Sequence, residues 1–400
     1  MTNKSSITIN QNFDSGNIRV IDSNDHQNIR LEIRQDTKAE FLQWFYFSAS
    51  GLSGSRCRFV IENAGSTSYP QGWANYHVVT SEDRQTWLRE PAVYDGQSLS
   101  WTIDSDADQM WFAYFAPYST EQHADLISAA SAEPGIRHEV LALTEQGRPL
   151  DYLRVEPYPE STQSAIVNKS QPAAMRKPQV WIIARQHPGE SMAEWFMEGL
   201  LDRLLDENDA TSRSLRSKAD LHLVPNMNPD GVFLGNLRTN ALGVNLNREW
   251  SEPDSGKSPE VYHVLERMKH TGVDMALDVH GDEALPYNFI AGSEGVADWS
   301  EERNRELVNV KHTWSCLNPD FQDEHGYPIN QPGKANLSIC SNQLANRFNC
   351  LAMTLEMPFK DTANLPSPAT GWSPERSMRL GASFIDVAWL KLNNRLLERG

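Results

Sequence analysis

The sequence predicts an α/β chain in two parts: an N-terminal antiparallel β-sandwich over residues 1–118, then an α/β/α domain over residues 119–400. Three observations predict this. Before Pro117, short runs alternate apolar and polar residues between clusters of Gly, Ser, Asn and Asp, the pattern of half-buried strands and turns. After Pro117, apolar runs of strand length alternate with helical spacings, which argues for a central sheet covered on both faces. The length of 400 residues suits two or three domains at about 150 residues each.

The elements follow in chain order. ITINQNF, NIRLEIRQ, CRFVIEN, YHVVTS and LSWTID read as short strands, and the aromatic runs Trp44 to Phe47 and Trp111 to Phe115 as strands buried on both faces. HADLISAA is a short helix. HEVLALTEQGRPLDYLRVEP is a hairpin that turns at Gln146-Gly147. A solvated loop rich in Ser, Gln, Pro and Ala spans 161–177. PQVWIIA (178–184) is a strand, and Met192, Trp195, Phe196, Leu200 and Leu204 mark one face of the helix that follows. ADLHLVP and VDMALDV are strands. SPEVYHVLERMKH and SPERSMRLGASFIDVAWLKLNNRLLER are helices, each with Ser as N-cap.

Composition excludes several classes. With 39% hydrophobic residues the chain has material for a core, so it is not wholly disordered. A net charge of −17 is repelled by phosphate backbones and anionic lipid, which argues against nucleic-acid or membrane-surface partners. No apolar run approaches the roughly 18 residues of a membrane span, and MTNKSSITINQNFDSG shows no secretory apolar region. Cys57, Cys316, Cys340 and Cys350 are scattered, with no CxxC pair. They read as free thiols, and the expected compartment is the cytoplasm. Nothing in the sequence sets an oligomeric state.

His187-Pro188-Gly189-Glu190 follows a strand and opens a helix. An imidazole and a carboxylate three residues apart at such a junction suit Zn²⁺, although a loop His beside a capping Glu has the same spacing. Pro188 fixes the turn and Gly189 is expected to permit an unusual backbone angle. His280 in VDMALDVHGDE stands at a strand end, where open α/β sheets place their sites. Three protein ligands plus water make a catalytic zinc rather than a structural one. His222 lies in a strand and His263 in a helix, and both read as ordinary core or surface residues. Glu356 lies in an apolar strand, where a carboxylate is costly to bury. A general base and an Arg-paired Glu both fit that position. Arg238, Asn247 and Arg248 are suited to clamping a carboxylate and polarising a carbonyl, or they are simply solvated.

Taken in order, HPGE (187–190), NPDGV (228–232), GNLR (235–238), LGVNLNREW (242–250), DVHG (278–281) and TLEMPF (354–359) resemble the motifs of the M14, carboxypeptidase A-like zinc carboxypeptidases. QWFYFSAS (43–50), RQTWLRE (84–90) and FAYFAPYS (112–119) resemble the β-domain of the cytosolic carboxypeptidase subfamily. The resemblance implies a carboxypeptidase domain with a central mixed sheet, Zn²⁺ as cofactor and a peptide or protein C-terminus as substrate. It implies His187, Glu190 and His280 as metal ligands and Glu356 as general base. Arg238 would polarise the scissile carbonyl, and Asn247 with Arg248 would grip the terminal carboxylate. Three positions depart from the family. Asn245 stands where Asp usually supports a ligating His; its amide oxygen still accepts an imidazole N–H but holds no charge. Tyr327 is the nearest candidate in sequence for a mobile-loop Tyr. In GKANLSICS (333–341), Lys334 is present but Ile339 or Cys340 replaces the arginine of members that trim acidic tails.

Two rival functions share these features. A zinc amidohydrolase, such as an N-acyl amino acid deacylase or a cell-wall peptide amidase, uses the same HxxE, His and Glu set. Retention of both Arg238 and the Asn247-Arg248 pair favours peptide C-termini over it. A non-enzymatic binding module built on the aromatic sandwich is disfavoured by the intact ligands and base, and metal content discriminates it.

Overall fold

The computed structural model describes residues 7–158 and 176–399. The loop expected over 161–177 therefore lies, up to residue 175, outside the described residues.

The first part is built on strands, with two short 3-10 turns at Ala64–Ser66 and Pro70–Trp73: β1 (Thr8–Asn10), β2 (Arg19–Asp22), β3 (Ile29–Glu32), β4 (Tyr46–Ser50), β5 (Ser55–Ile61), β6 (His77–Ser81), β7 (Leu88–Tyr94), β8 (Leu99–Ser105) and β9 (Gln109–Ala113). They hydrogen-bond in the order β1-β4-β9-β6-β7-β8-β5-β3-β2. β7 pairs with β6 on one side and β8 on the other, so one sheet folds over itself into two facing layers. Rings from opposite layers meet in between. Phe47 and Phe112 come from one layer, Phe59 and Trp101 from the other, and Phe59 lies 4.8 Å from Phe112 and 5.3 Å from Trp101. Such aromatic pairs add about 0.5–1.5 kcal/mol beyond area burial. One pair departs from the antiparallel expectation: β3 and β5 are parallel. The chain between them visits the other layer through β4, and this crossover brings β5 back in the same direction.

The second part holds β10 (Ile136–Leu143), β11 (Pro149–Val155), β12 (Gln179–Ala184), β13 (Asp220–Val224), β14 (Met275–Asp282), β15 (Phe289–Ala291) and β16 (Leu351–Pro358). Its helices are α1 (Thr120–Ala132), α2 (Met192–Leu204), α3 (Ala210–Lys218), α4 (Pro229–Leu234), α5 (Pro259–Thr271), α6 (Glu301–Leu317), α7 (Cys340–Phe348) and α8 (Pro374–Leu392). The sheet order is β10-β11-β13-β12-β14-β16-β15. The pairs among β13, β12, β14 and β16 are parallel, and the outer pairs are antiparallel. The sheet is thus mixed. Its two faces follow the period-2 pattern of a strand buried on both sides. Val180 and Ile182 of β12 pack with α2 and α8, whereas Trp181 and Ile183 pack with α5 and α7.

Helices α2 and α8 touch backbone to backbone. A methyl group on Gly199 would meet the Met378 carbonyl oxygen at 2.1 Å, and one on Gly381 the Phe196 oxygen at 2.0 Å. Two sequence expectations change in detail. Ser258 precedes α5, but its hydroxyl donates to the Asp254 carbonyl instead of capping, and Pro259 begins the helix. The last helix ends at Leu392, because Asn394 turns into the left-handed region at φ +51°, which Asn tolerates through local hydrogen bonding. Among the described residues, no helix is long and apolar enough to cross a membrane.

Candidate active site

The parallel strands β12, β14 and β16 share one direction, so their C-terminal ends line one edge of the sheet, where a ligand crevice forms. Past Ala184 the chain bends through Arg185, a non-glycine residue at φ +59°. The guanidinium of buried Arg185 holds that bend, donating to the carbonyls of Pro188 (3.0 Å) and Tyr118 (2.7 Å) and to Glu194 (2.5 Å). The turn places His187 and Glu190 over the strand ends. Gly189 acts differently from expectation, since its φ is not in the left-handed region. It is needed for close approach: its N–H donates to the Leu237 carbonyl at 2.9 Å, and a Cβ would meet that oxygen at 3.0 Å.

In β14 and β16, His280 and Glu356 are direct register partners. His187 Nδ1 lies 2.6 Å from Glu190 Oε1, and His280 Nδ1 lies 2.8 Å from Glu190 Oε2. The two Nδ1 atoms are 3.2 Å apart. Two imidazole nitrogens and a carboxylate thus converge on one point, and all three residues are buried. The other ring nitrogens are held from behind. His187 Nε2 is 3.1 Å from Asn245 Oδ1, and His280 Nε2 is 2.9 Å from Asp278 Oδ2, which also accepts from Gln186. With Nε2–H pointing outward, each Nδ1 turns a lone pair inward, and this donor set fits a zinc ion. Burial and the nearby Arg238 push His187 down to about 4, whereas for His280 burial is outweighed by Asp278 and Glu190, which raise it well above its usual value. Burial opposes ionisation of Glu190, yet the two imidazoles outweigh it and hold its carboxyl well below the usual range.

This cluster forms one wall of a cavity of about 400 Å³ that Arg238, Asn247, Arg248, Tyr327 and Glu356 also line. All the residues expected at the site therefore meet there. Glu356 is buried, and among the described residues it has no Arg partner and its Oε2 accepts no hydrogen bond. Burial, reinforced by Glu190, Asp282 and Glu283 against the pull of His280, pushes it well above the usual carboxylate range. Among the described residues neither Arg238 nor Arg248 forms an ion pair; Arg248 donates to the Asn247 carbonyl at 2.6 Å. Tyr327 faces the cavity, with its hydroxyl donating to Asp282 at 2.5 Å. Lys334 is exposed and Ile339 lines the cavity. The NPDGV motif is structural: Asn228 caps α4, and buried Asp230 accepts from Thr144, Gln146 and Arg148 of the β10–β11 turn. His222 is a core residue stacked on Trp181.

Sequence reasoning missed Asp278, although it stands two residues before His280 and so shares its strand face. It also missed Tyr69 and Gln71 of the β-sandwich, which line the cavity, and the facing pair Glu294 and Lys311, 3.9 Å apart. No local pattern marks these.

Residues 123–375 match the zinc carboxypeptidase family, and residues 9–115 match the cytosolic carboxypeptidase N-terminal domain. An uncharacterised protein of Zymomonas mobilis is 45% identical over 95% of each chain. A metallo-carboxypeptidase from Burkholderia cenocepacia is 42% identical, with a TM-score of 0.91 over 97% of this chain and 100% of that one. A metallo-carboxypeptidase from Pseudomonas aeruginosa, solved in complex with (2-guanidinoethylmercapto)succinic acid, is 43% identical, with a TM-score of 0.89 over 98% and 100%.

Proposed function

Because this chain belongs to the zinc carboxypeptidase family, we propose that it hydrolyses the C-terminal peptide bond of peptides or protein tails, with zinc held by His187, Glu190 and His280. The observation that carries this reading is the placing of Arg238 and Arg248, without ion-pair partners among the described residues, in the same cavity as that cluster. Unpaired guanidiniums beside a metal site call for an anion from outside, and a peptide's free carboxylate matches an arginine bidentately. The ligand of the Pseudomonas relative, a succinic acid derivative, is consistent with a carboxylate-binding cavity.

A bound zinc ion supplies Lewis acidity and an activated water at this centre. Glu356, with a free carboxylate oxygen, takes a proton from the attacking water and passes it to the leaving amine. Arg238 stabilises the charge that develops on the carbonyl oxygen. Asn247 and Arg248 hold the terminal carboxylate, which restricts cleavage to the last bond. Asn245 and Asp278 orient the two imidazoles.

We assign residues 1–118 to the β-sandwich domain and 119–400 to the catalytic domain; the end of β9 at Ala113 and the start of α1 at Thr120 support that boundary. Scattered cysteines with no CxxC pair support a reducing, cytoplasmic location.

The test is a set of short peptides that differ only in the last residue, each as free acid and as amide, with products identified by mass. Release of one terminal residue from free acids alone is expected. Equal cleavage of the amides would replace this reading with that of a zinc amidohydrolase.

A further inference from the structure

The loop after β3 carries Asp36, a buried carboxylate that faces the catalytic domain. One of its oxygens accepts the N–H of Leu237 at 2.6 Å. The other accepts the N–H of Arg238 at 2.7 Å, the N–H of Thr239 at 2.9 Å and the Thr239 hydroxyl at 3.1 Å. Three successive amides of the segment that bears Arg238 thus converge on one side chain of the β-sandwich. Hydrogen bonds of this kind are what make a buried carboxylate tolerable.

The contact continues along the chain. Asn236 accepts from the N–H of Thr37 at 2.9 Å. Gly243 packs against Lys38 so closely that a Cβ would meet the Lys38 carbonyl oxygen at 2.4 Å. The guanidinium of Arg238 lies 5.7 Å from the ring centre of Phe41 and 5.6 Å from that of Tyr69, both from the sandwich, within cation–π range. So the arginine is held at its backbone by one residue of the first domain and at its side chain by two others.

From this geometry we infer that Asp36 is a positioning residue for the hydrolysis: it clamps the backbone at 237–239 so that Arg238, resting against Phe41 and Tyr69, is aimed before the substrate arrives. The β-sandwich thereby completes the active site. This rests on the reading above that Arg238 stabilises the developing oxyanion. A preorganised donor needs no reorganisation at the moment of reaction, and a misplacement of about 1 Å costs on the order of 10²-fold in rate.

The experiment uses the full-length, zinc-loaded protein and three variants: Asp36→Asn, Arg238→Ala and the double variant. Metal content and thermal midpoint are measured beside kcat and KM. Asp36→Asn should lower kcat by about 10–100-fold, with metal content and KM little changed. Arg238→Ala should lower kcat by about 10²–10³-fold. The double variant should be no slower than Arg238→Ala, because Asp36 acts through Arg238. An unchanged kcat in Asp36→Asn, or losses that multiply in the double variant, would overturn the inference. Full activity in Arg238→Ala would instead overturn the role given to Arg238. Should Asp36→Asn fail to fold, Phe41→Leu takes its place with the same pattern expected, and a kcat unaffected by it counts against the proposal.

Discussion

Asn245 Oδ1 lies 3.1 Å from Nε2 of His187, the ring nitrogen turned away from Glu190. The equivalent place behind His280 is held by a carboxylate, Asp278, at 2.9 Å. One proposed ligand is therefore backed by a neutral amide and the other by a negative charge. Removing a partner behind a ligating imidazole typically costs about 10–100-fold in metal affinity. Asn245→Ala should weaken zinc by that factor, and Asn245→Asp should tighten it by making the imidazole more basic. Competition against a chelator of known affinity measures both; an unaltered affinity in Asn245→Ala would mean that the contact orients nothing.

Glu356→Gln should keep stoichiometric metal and substrate affinity yet lose about 10²–10⁴-fold in turnover. The amide has the same shape but cannot carry a proton. Single-turnover kinetics with metal analysis on the same sample decides. If turnover survives, attention moves to Glu283, a buried neighbour in the cavity that burial raises to about 8.

Arg248→Lys should weaken cleavage of free-acid peptides by more than the retained charge suggests, since Lys cannot match a planar carboxylate in two places. Amidating the substrate removes the same contact from the other side. Truncating a hydrogen-bonded charge pair costs about 2–5 kcal/mol, and the two losses should not add. Additive losses in kcat/KM would make Arg248 structural.

Away from the cavity, His123 sits between Glu194 at 2.5 Å and Asp151 at 3.1 Å. Burial opposes its charge, but the two carboxylates prevail and raise it to about 9 from an ordinary 6.5. A histidine raised on folding contributes stability that is complete below the unfolded value, about 6.5, and is lost as pH rises through the folded value, about 9. The gap in thermal midpoint between the wild-type protein and His123→Gln should be widest at pH 6 and shrink steadily to pH 9. A gap that stays constant would mean that His123 is not charged in the folded protein.

The residues proposed to carry chemistry were legible where they sit beside strand ends. His187, Glu190, His280 and Glu356 stand out because a polar residue next to an apolar run is costly without a role. Asp278 was equally legible, since i and i+2 share a strand face, and it went unread. Asp36 and Tyr69 were not legible at all. Each is an unremarked residue in a loop of the other domain, and only the docking of the two parts brings Asp36 to the Arg238 segment and Tyr69 to the cavity. The close approach at Gly189 was hidden for the same reason, because the residue it touches, Leu237, is remote in the chain. Local pattern records what a residue is, whereas remote packing decides what it meets.

The cavity's walls run from Tyr69 to Glu356 in the chain, so no fragment shorter than residues 69–356 contains it. Closing the intervening loops must precede any encounter with substrate. Folding is thus the licensing step for this hydrolase: a half-folded chain owns every histidine, glutamate and arginine of the site and none of its geometry.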